Sequence, residues 1–202
     1  MKLYFSPGAC SLSPHIVLLE AGLPFTLEKV DMSSKTTASG ADFSTINPKG
    51  YVPALELDNG DVLTEGAAIV QYLADQAPDK QLAPANGTTA RYQLMGWLNF
   101  ISTEVHKNYS PLFDPSASDD IKTLAHKNLT RRYTYVNTAL QTNDYLFGNQ
   151  FSVADAYLFV VTNWAGHVKF DLADFPHVAA FQKRIASRPA AQQALRAEGL
   201  ID

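Results

Sequence analysis

The chain has 202 residues, of which 16 are basic and 20 acidic, giving a formal net charge of −4 at pH 7. A hydrophobic fraction of 46% with 18% charged residues is globular rather than disordered or fibrous, and the length suits one large domain or two small ones. The longest apolar run, Ala156 to Val161, falls far short of the ~20 residues of a membrane span. Mild acidity without a basic stretch argues against nucleic acid, no signal peptide follows Met1-Lys2, and the single cysteine fits a reducing cytosol.

Residues 1–77 alternate strand and helix signals. Lys2 to Ser6 reads as a strand, and Ser11 to Ala21 as a helix with Leu12, Ile16 and Leu19 on its apolar face. Gly22 is a helix stop, and Phe25 to Val30 a second strand. A loop follows. Tyr51 to Leu57 and Asp61 to Leu63 flank Asp58-Asn59-Gly60, a hairpin signal, before a helix from about Gly66 to Ala77. The order β-α-β, loop, β-β-α predicts a thioredoxin-like α/β domain with a mixed sheet.

A polar stretch rich in Pro and Gly, residues 78–87, reads as a linker. Residues 88–202 carry helical patterns only, predicting an all-α domain. These run over about Thr88–Asn108, Asp119–Thr142, Val153–Val168, Pro176–Ser187 and Ala190–Glu198. Ser152-Val153-Ala154-Asp155 reads as a helix cap rather than a catalytic acid. Charge differs between the parts: residues 1–77 balance to −5 and residues 78–202 to +1.

Four features carry chemistry. Cys10 lies between a strand end and a helix start, where the helix dipole favours a thiolate. The Cys10-x-x-Ser13 spacing keeps one cysteine of a dithiol motif, so a mixed disulfide there has no internal resolving thiol. Pro53 stands at the start of a strand. A cis Val52–Pro53 bond would turn the Val52 N–H and C=O outward to pair an extended ligand, although an ordinary trans bond is the commoner case. Glu65 precedes a helix, where its carboxylate could hold an amine and the Gly66 N–H a carboxylate; a plain first-turn acid is the simpler reading. Finally, Asn99, Thr103 and His106 share the polar side of an apolar helix, either as a solvated face or as a wall facing the first domain, from which His106 could give a proton to a sulfur or take one. The remaining histidines lack metal-ligand spacing, and no phosphate-binding glycine loop occurs.

In this order and spacing the motifs resemble the cytosolic glutathione transferases, specifically the bacterial beta class, along essentially the whole chain. The resemblance rests on Tyr4 to Ser11, Asn47-Pro48-Lys49-Gly50 with Val52-Pro53-Ala54-Leu55, Leu63-Thr64-Glu65, and Phe151 to Tyr157. It implies a thioredoxin-like domain at 1–77 followed by an all-helical domain at 88–202, a cytoplasmic homodimer, and conjugation of glutathione to small hydrophobic electrophiles in detoxification. Glutathione is then a co-substrate, with no cofactor or metal. Cys10 and His106 are the implied catalytic residues. Cys10, Lys35, Val52, Pro53, Glu65, Gly66, Asn99, Thr103, Glu104, Val105 and His106 are the implied glutathione contacts, Glu104 and Val105 through backbone or from the other subunit. Gly66 departs from the Ser or Thr of many members. Tyr4, Ser6 and Ser11 stand as substitutes for Cys10, and Tyr109, Phe113 and Trp164 as the electrophile pocket. The alternatives are a glutaredoxin-like thioltransferase or dehalogenase using Cys10, and a non-catalytic glutathione-binding module.

Overall fold

The computed structural model describes all 202 residues. In chain order the elements are β1 (Lys2–Phe5), α1 (Leu12–Ala21), β2 (Thr26–Asp31), β3 (Thr36–Thr37), α2 (Phe43–Ile46), β4 (Ala54–Glu56), β5 (Val62–Thr64), α3 (Gly66–Gln76), α4 (Thr89–Phe100), a π-helical turn (Ile101–His106), α5 (Lys107–Phe113), α6 (Asp119–Ala139), α7 (Val153–Asn163), α8 (Pro176–Ala186) and α9 (Pro189–Ala197). They form two compact units, Met1–Ala83 with Ser187–Asp202, and Pro84–Ala186. The sequence pattern places everything from residue 88 onward in the helical part. In the structure the chain returns to the first unit at Ser187, because α9 packs on α1.

The first unit is built on a five-stranded mixed sheet in the order β3-β2-β1-β4-β5. β1 pairs parallel with β2 and antiparallel with β4, so Leu3, Tyr4 and Phe5 are all buried instead of alternating with polar residues. Gly60 (φ +89) closes the β4–β5 hairpin where Asp58-Asn59-Gly60 predicts it. The predicted single apolar face of α1 is too narrow. Leu12 through Leu18 are all buried and Leu19 is only half-buried, since α1 lies against both α3 and α9. Arg188 clamps the α9 end of this packing with a two-pronged bond to Glu20 (2.6 and 2.9 Å). β3 and α2 fill the predicted loop. At two and four residues they are too short for periodicity to reveal, and α2 depends on the Asp42 side chain accepting the Ser44 N–H (2.9 Å).

The second unit is entirely helical. The predicted 88–108 helix is interrupted by the π-helical turn and then runs on through Pro111 to Phe113. Leu94, Leu98, Ile101, Val105 and Tyr109 remain buried along its length. In its core, Tyr109 Oη meets Tyr133 Oη (2.8 Å), and Tyr133 donates to Thr162 (3.0 Å), so each buried hydroxyl is satisfied. Ser152 and Asp155 form the expected cap of α7. The buried Asp155 carboxylate accepts from the Leu146 N–H, the Ser152 N–H and the Ser152 hydroxyl, at 2.7–2.8 Å. Burial pushes this carboxyl up to about 6 against the pull of those donors.

Asp155→Ala would leave two buried N–H groups unpaired, and a loss of about 3 kcal/mol is expected in urea denaturation. The native state holds the Asp155 proton more tightly than the unfolded chain, so its contribution falls as pH rises from 3.8 to about 6. The gap between wild type and variant should therefore narrow between about pH 4 and about pH 7.

Candidate functional site

The predicted site residues fall into two clusters, one in each unit. In the first, the chain turns at Gly8 (φ +70) between β1 and α1. Ala9, Leu12 and Ser13 donate their N–H groups to the carbonyls of Ser6, Ala9 and Cys10 (3.0–3.1 Å). The third residue of α1 is Pro14, which has no N–H. The start of α1 thus offers its dipole to a sulfur while its own early donors are largely engaged. Two further anchors hold the turn. Ser11, fully buried, accepts the Ser6 N–H (3.2 Å), and Glu198 just beyond α9 accepts the Gly8 N–H (2.9 Å). The same Glu198 carboxylate meets Nδ1 of the buried His15 at 2.9 Å. No pattern in the sequence marks Glu198, because its partners lie about 180 residues away.

Cys10 is half-buried and donates its thiol to the Val52 carbonyl at 3.3 Å. Tyr4 and Ser11 are not available as substitutes for it. The Tyr4 ring is buried and its hydroxyl donates to Glu56 (2.6 Å). Burial first, and then this bond, raise the phenol above its ordinary value. The Ser11 hydroxyl is committed to the Ser6 backbone.

Val52–Pro53 is cis. The preceding turn is braced by the buried Asn47, whose amide donates to the Tyr51 carbonyl (2.6 Å), and by Lys35 (φ +56), whose ammonium donates to the Gly50 carbonyl (2.8 Å). Glu65 caps α3 at φ +70, ψ 111, a conformation that costs a non-glycine residue about 1–3 kcal/mol and is characteristic of functional positions. Its exposed carboxylate accepts from the Lys49 ammonium (2.5 Å) and the Tyr51 hydroxyl (2.7 Å), raising both groups. The sequence marks Lys49 and Tyr51 only as parts of a motif, and their shared partner is visible only in the fold. Gly66 opens α3, and a Cβ there would meet Pro53 Cγ at an ordinary 3.7 Å.

In the second unit, the π-helical turn carries Thr103, Glu104, Val105 and His106. Asn99 and Thr103 are exposed, with the Thr103 hydroxyl donating to the Asn99 carbonyl (3.0 Å). Glu104 is paired with Arg132, and the Val105 side chain is fully buried, which leaves its backbone as the part able to meet a ligand. His106 Nδ1 lies 2.7 Å from Tyr157 Oη, and the imidazole stands edge-on to Trp164 at 4.8 Å. Tyr109, Phe113 and Trp164 do cluster, with centroids 5.6–6.5 Å apart. Tyr109 is fully buried and bonded to Tyr133, so it supports this cluster from behind, while Phe113 is half exposed. No group of three His, Cys, Asp or Glu side chains is arranged to hold a metal.

Residues 8–76 match the family model for the glutathione S-transferase N-terminal domain, and residues 100–189 that for the C-terminal domain. The chain is 49% identical over 200 residues to the glutathione S-transferase GstA of Escherichia coli O157:H7, covering 99% of this chain and 100% of that one. Among solved structures it is similar to BphK, a bacterial glutathione S-transferase solved in a ternary complex. The identity is 59%, with 99% and 100% of the two chains covered and a TM-score of 0.98. Two sphingomonad structures, each 47% identical over all of both chains with a TM-score of 0.96, are respectively a glutathione complex and a beta class enzyme of Sphingomonas chungbukensis.

Glu198→Ala would strip the buried His15 and the Gly8 amide of their shared acceptor. The expected loss is about 3 kcal/mol in urea denaturation. Cys10, the only thiol, should also be labelled faster at urea concentrations below the unfolding transition.

Proposed function

The chain belongs to the glutathione S-transferase family, and from that premise we propose that it binds glutathione and transfers its thiolate to small hydrophobic electrophiles, as a bacterial beta class enzyme. The observation that carries the reading is the 3.3 Å approach of the Cys10 sulfur to the Val52 carbonyl. A tripeptide whose cysteinyl unit pairs with the Val52 backbone would have its own sulfur delivered beside Cys10. Glu65 would hold the γ-glutamyl amine, sharing or displacing Lys49, and the Gly66 N–H at the start of α3 the adjoining carboxylate. Lys35, Pro53, Asn99, Thr103, Glu104 and Val105 are assigned to the same ligand, and His106 to its sulfur. Glutathione is the co-substrate, and the reading needs no further cofactor.

Ionising the bound thiol near neutral pH is the chemical task, and each pKa unit of depression requires ~1.4 kcal/mol of preferential thiolate stabilisation. The dipole of α1 contributes. Cys10 is the group beside which the bound sulfur would lie, and it is assigned to covalent exchange with that sulfur rather than to its activation. A thioltransferase is the second reading, favoured by this half-buried thiol at a helix start. A single cysteine with no disulfide partner fits a reducing compartment, and we place the protein in the cytoplasm. No helix is long and apolar enough to cross a membrane.

We also assign a homodimer. Tyr92 (64% exposed), Met95 (41%) and Tyr135 (55%) leave an apolar face on α4 and α6, beside a groove of about 910 Å³ lined by Trp97, Phe100, Arg131 and Phe147.

Calorimetry on reduced protein should detect glutathione uptake, and none at millimolar concentration would overturn the reading. Cys10→Ala should abolish thiol–disulfide exchange while conjugation to a model electrophile persists within about tenfold. A larger loss of conjugation would make Cys10 the activator. Light scattering should give twice the chain mass, and Tyr135→Glu should shift the protein toward monomer. A wild-type monomer at micromolar concentration would remove the dimer assignment.

A further inference from the structure

His106 is held by two aromatic neighbours in its own unit, Tyr157 and Trp164. Its Nδ1 lies 2.7 Å from Tyr157 Oη. Its ring stands at 84° to the Tyr157 ring with centroids 5.9 Å apart, and at 69° to the Trp164 indole. Tyr157 is 4% exposed. It sits two residues beyond Asp155, whose carboxylate fixes the first turn of α7. The hydroxyl is thus presented by a capped, buried helix and not by a free surface side chain.

The partner's chemistry selects one arrangement of protons. A neutral imidazole has one N–H and one bare nitrogen, and a phenol has one O–H and acceptor lone pairs. A phenolic O–H is acidic enough to be a good donor, whereas a bare imidazole nitrogen is the most basic acceptor available to it. The strongest pairing therefore runs from the Tyr157 O–H to His106 Nδ1, leaving the imidazole proton on Nε2.

We propose that Tyr157 is a positioning residue that holds neutral His106 with its proton on Nε2, so that the histidine serves the glutathione sulfur as a hydrogen-bond donor and not as a base. The inference rests on the assignment of His106 to that sulfur. A bare Nε2 would repel a thiolate, whereas an Nε2–H stabilises it. The thiol proton leaves to water, and the imidazole keeps its own. The Leu12, Ser13 and His15 N–H groups at the start of α1 already donate to backbone carbonyls, so a donor from outside that helix adds to what its dipole supplies. A general base would require the reverse pairing, with Nδ1–H donating to Tyr157 and a bare Nε2.

The nitrogen-15 NMR shifts of the histidine ring test this directly. H106N, which lacks the resonance, identifies it among the five histidines. In the wild type, Nδ1 should appear bare and Nε2 protonated above the imidazole pKa. Tyr157→Phe keeps the ring and its contacts, so its circular dichroism should be unchanged. Its His106 signal should move toward a mixture of tautomers, with kcat for conjugation down about tenfold and KM for glutathione within about twofold. A wild-type His106 protonated on Nδ1 overturns the proposal, as does a Tyr157→Phe variant with unchanged tautomer or unchanged kcat. If H106N keeps full turnover, the assignment of His106 to the sulfur fails. In that case the ring shifts still report whether Tyr157 sets the tautomer.

Discussion

The buried Glu198 carboxylate is the contact on which the first unit's reactive turn depends. Isolated in a protein interior, such a group is costly, and it is tolerated here because His15 and the Gly8 amide both meet it at 2.9 Å. Those two partners belong to α1 and to the turn that leads into it. One carboxylate from the far end of the chain thus fixes the helix whose start carries Cys10 and the backbone bend just before it. Arg188 repeats the device at the other end of α9 through Glu20. The buried length of α1 from Leu12 to Leu18 supplies the apolar part, at about 1.5–3 kcal/mol for each large side chain removed from water.

The second unit solves the same problem with a different group. Asp155 collects three donors and so sets where α7 begins. The start of a helix determines the azimuth of everything after it, and two residues on it places Tyr157 against His106. On the opposing helix, the π-helical turn at Ile101–His106 takes up an additional residue without losing the buried row of Leu94, Leu98, Ile101, Val105 and Tyr109. Interruptions of this kind are frequent at functional positions because they aim a side chain that a regular helix would not. The polar groups in this unit are therefore paired first with one another.

The same economy holds around Glu65. A strained backbone presents its carboxylate, and Lys49 and Tyr51 already satisfy it. An incoming amine would exchange one charge-assisted bond for another, a smaller free-energy change than pairing with an unpartnered acid. Recognition there would come from geometry as much as from charge.

Long or chemically marked elements were legible from residues alone. The strands around Asp58-Asn59-Gly60, the Gly22 stop, the Ser152–Asp155 cap and the helical second part each follow from local backbone preferences or from a period repeated over several turns. Cys10, Val52 and Glu65 could be singled out because turns and helix starts leave a signature in nearby residues. What the fold alone decided involves partners distant in sequence. The return of residues 187–202 to the first unit, the pairing of Glu198 with His15 and Gly8, the commitment of Tyr4 to Glu56, and the Tyr157 hydroxyl on His106 span from 51 to 190 residues. Local propensity acts over a few bonds and so is written into neighbouring residues. A hydrogen bond between distant segments forms only after packing has brought them within about 3 Å, and no short stretch of the chain records that.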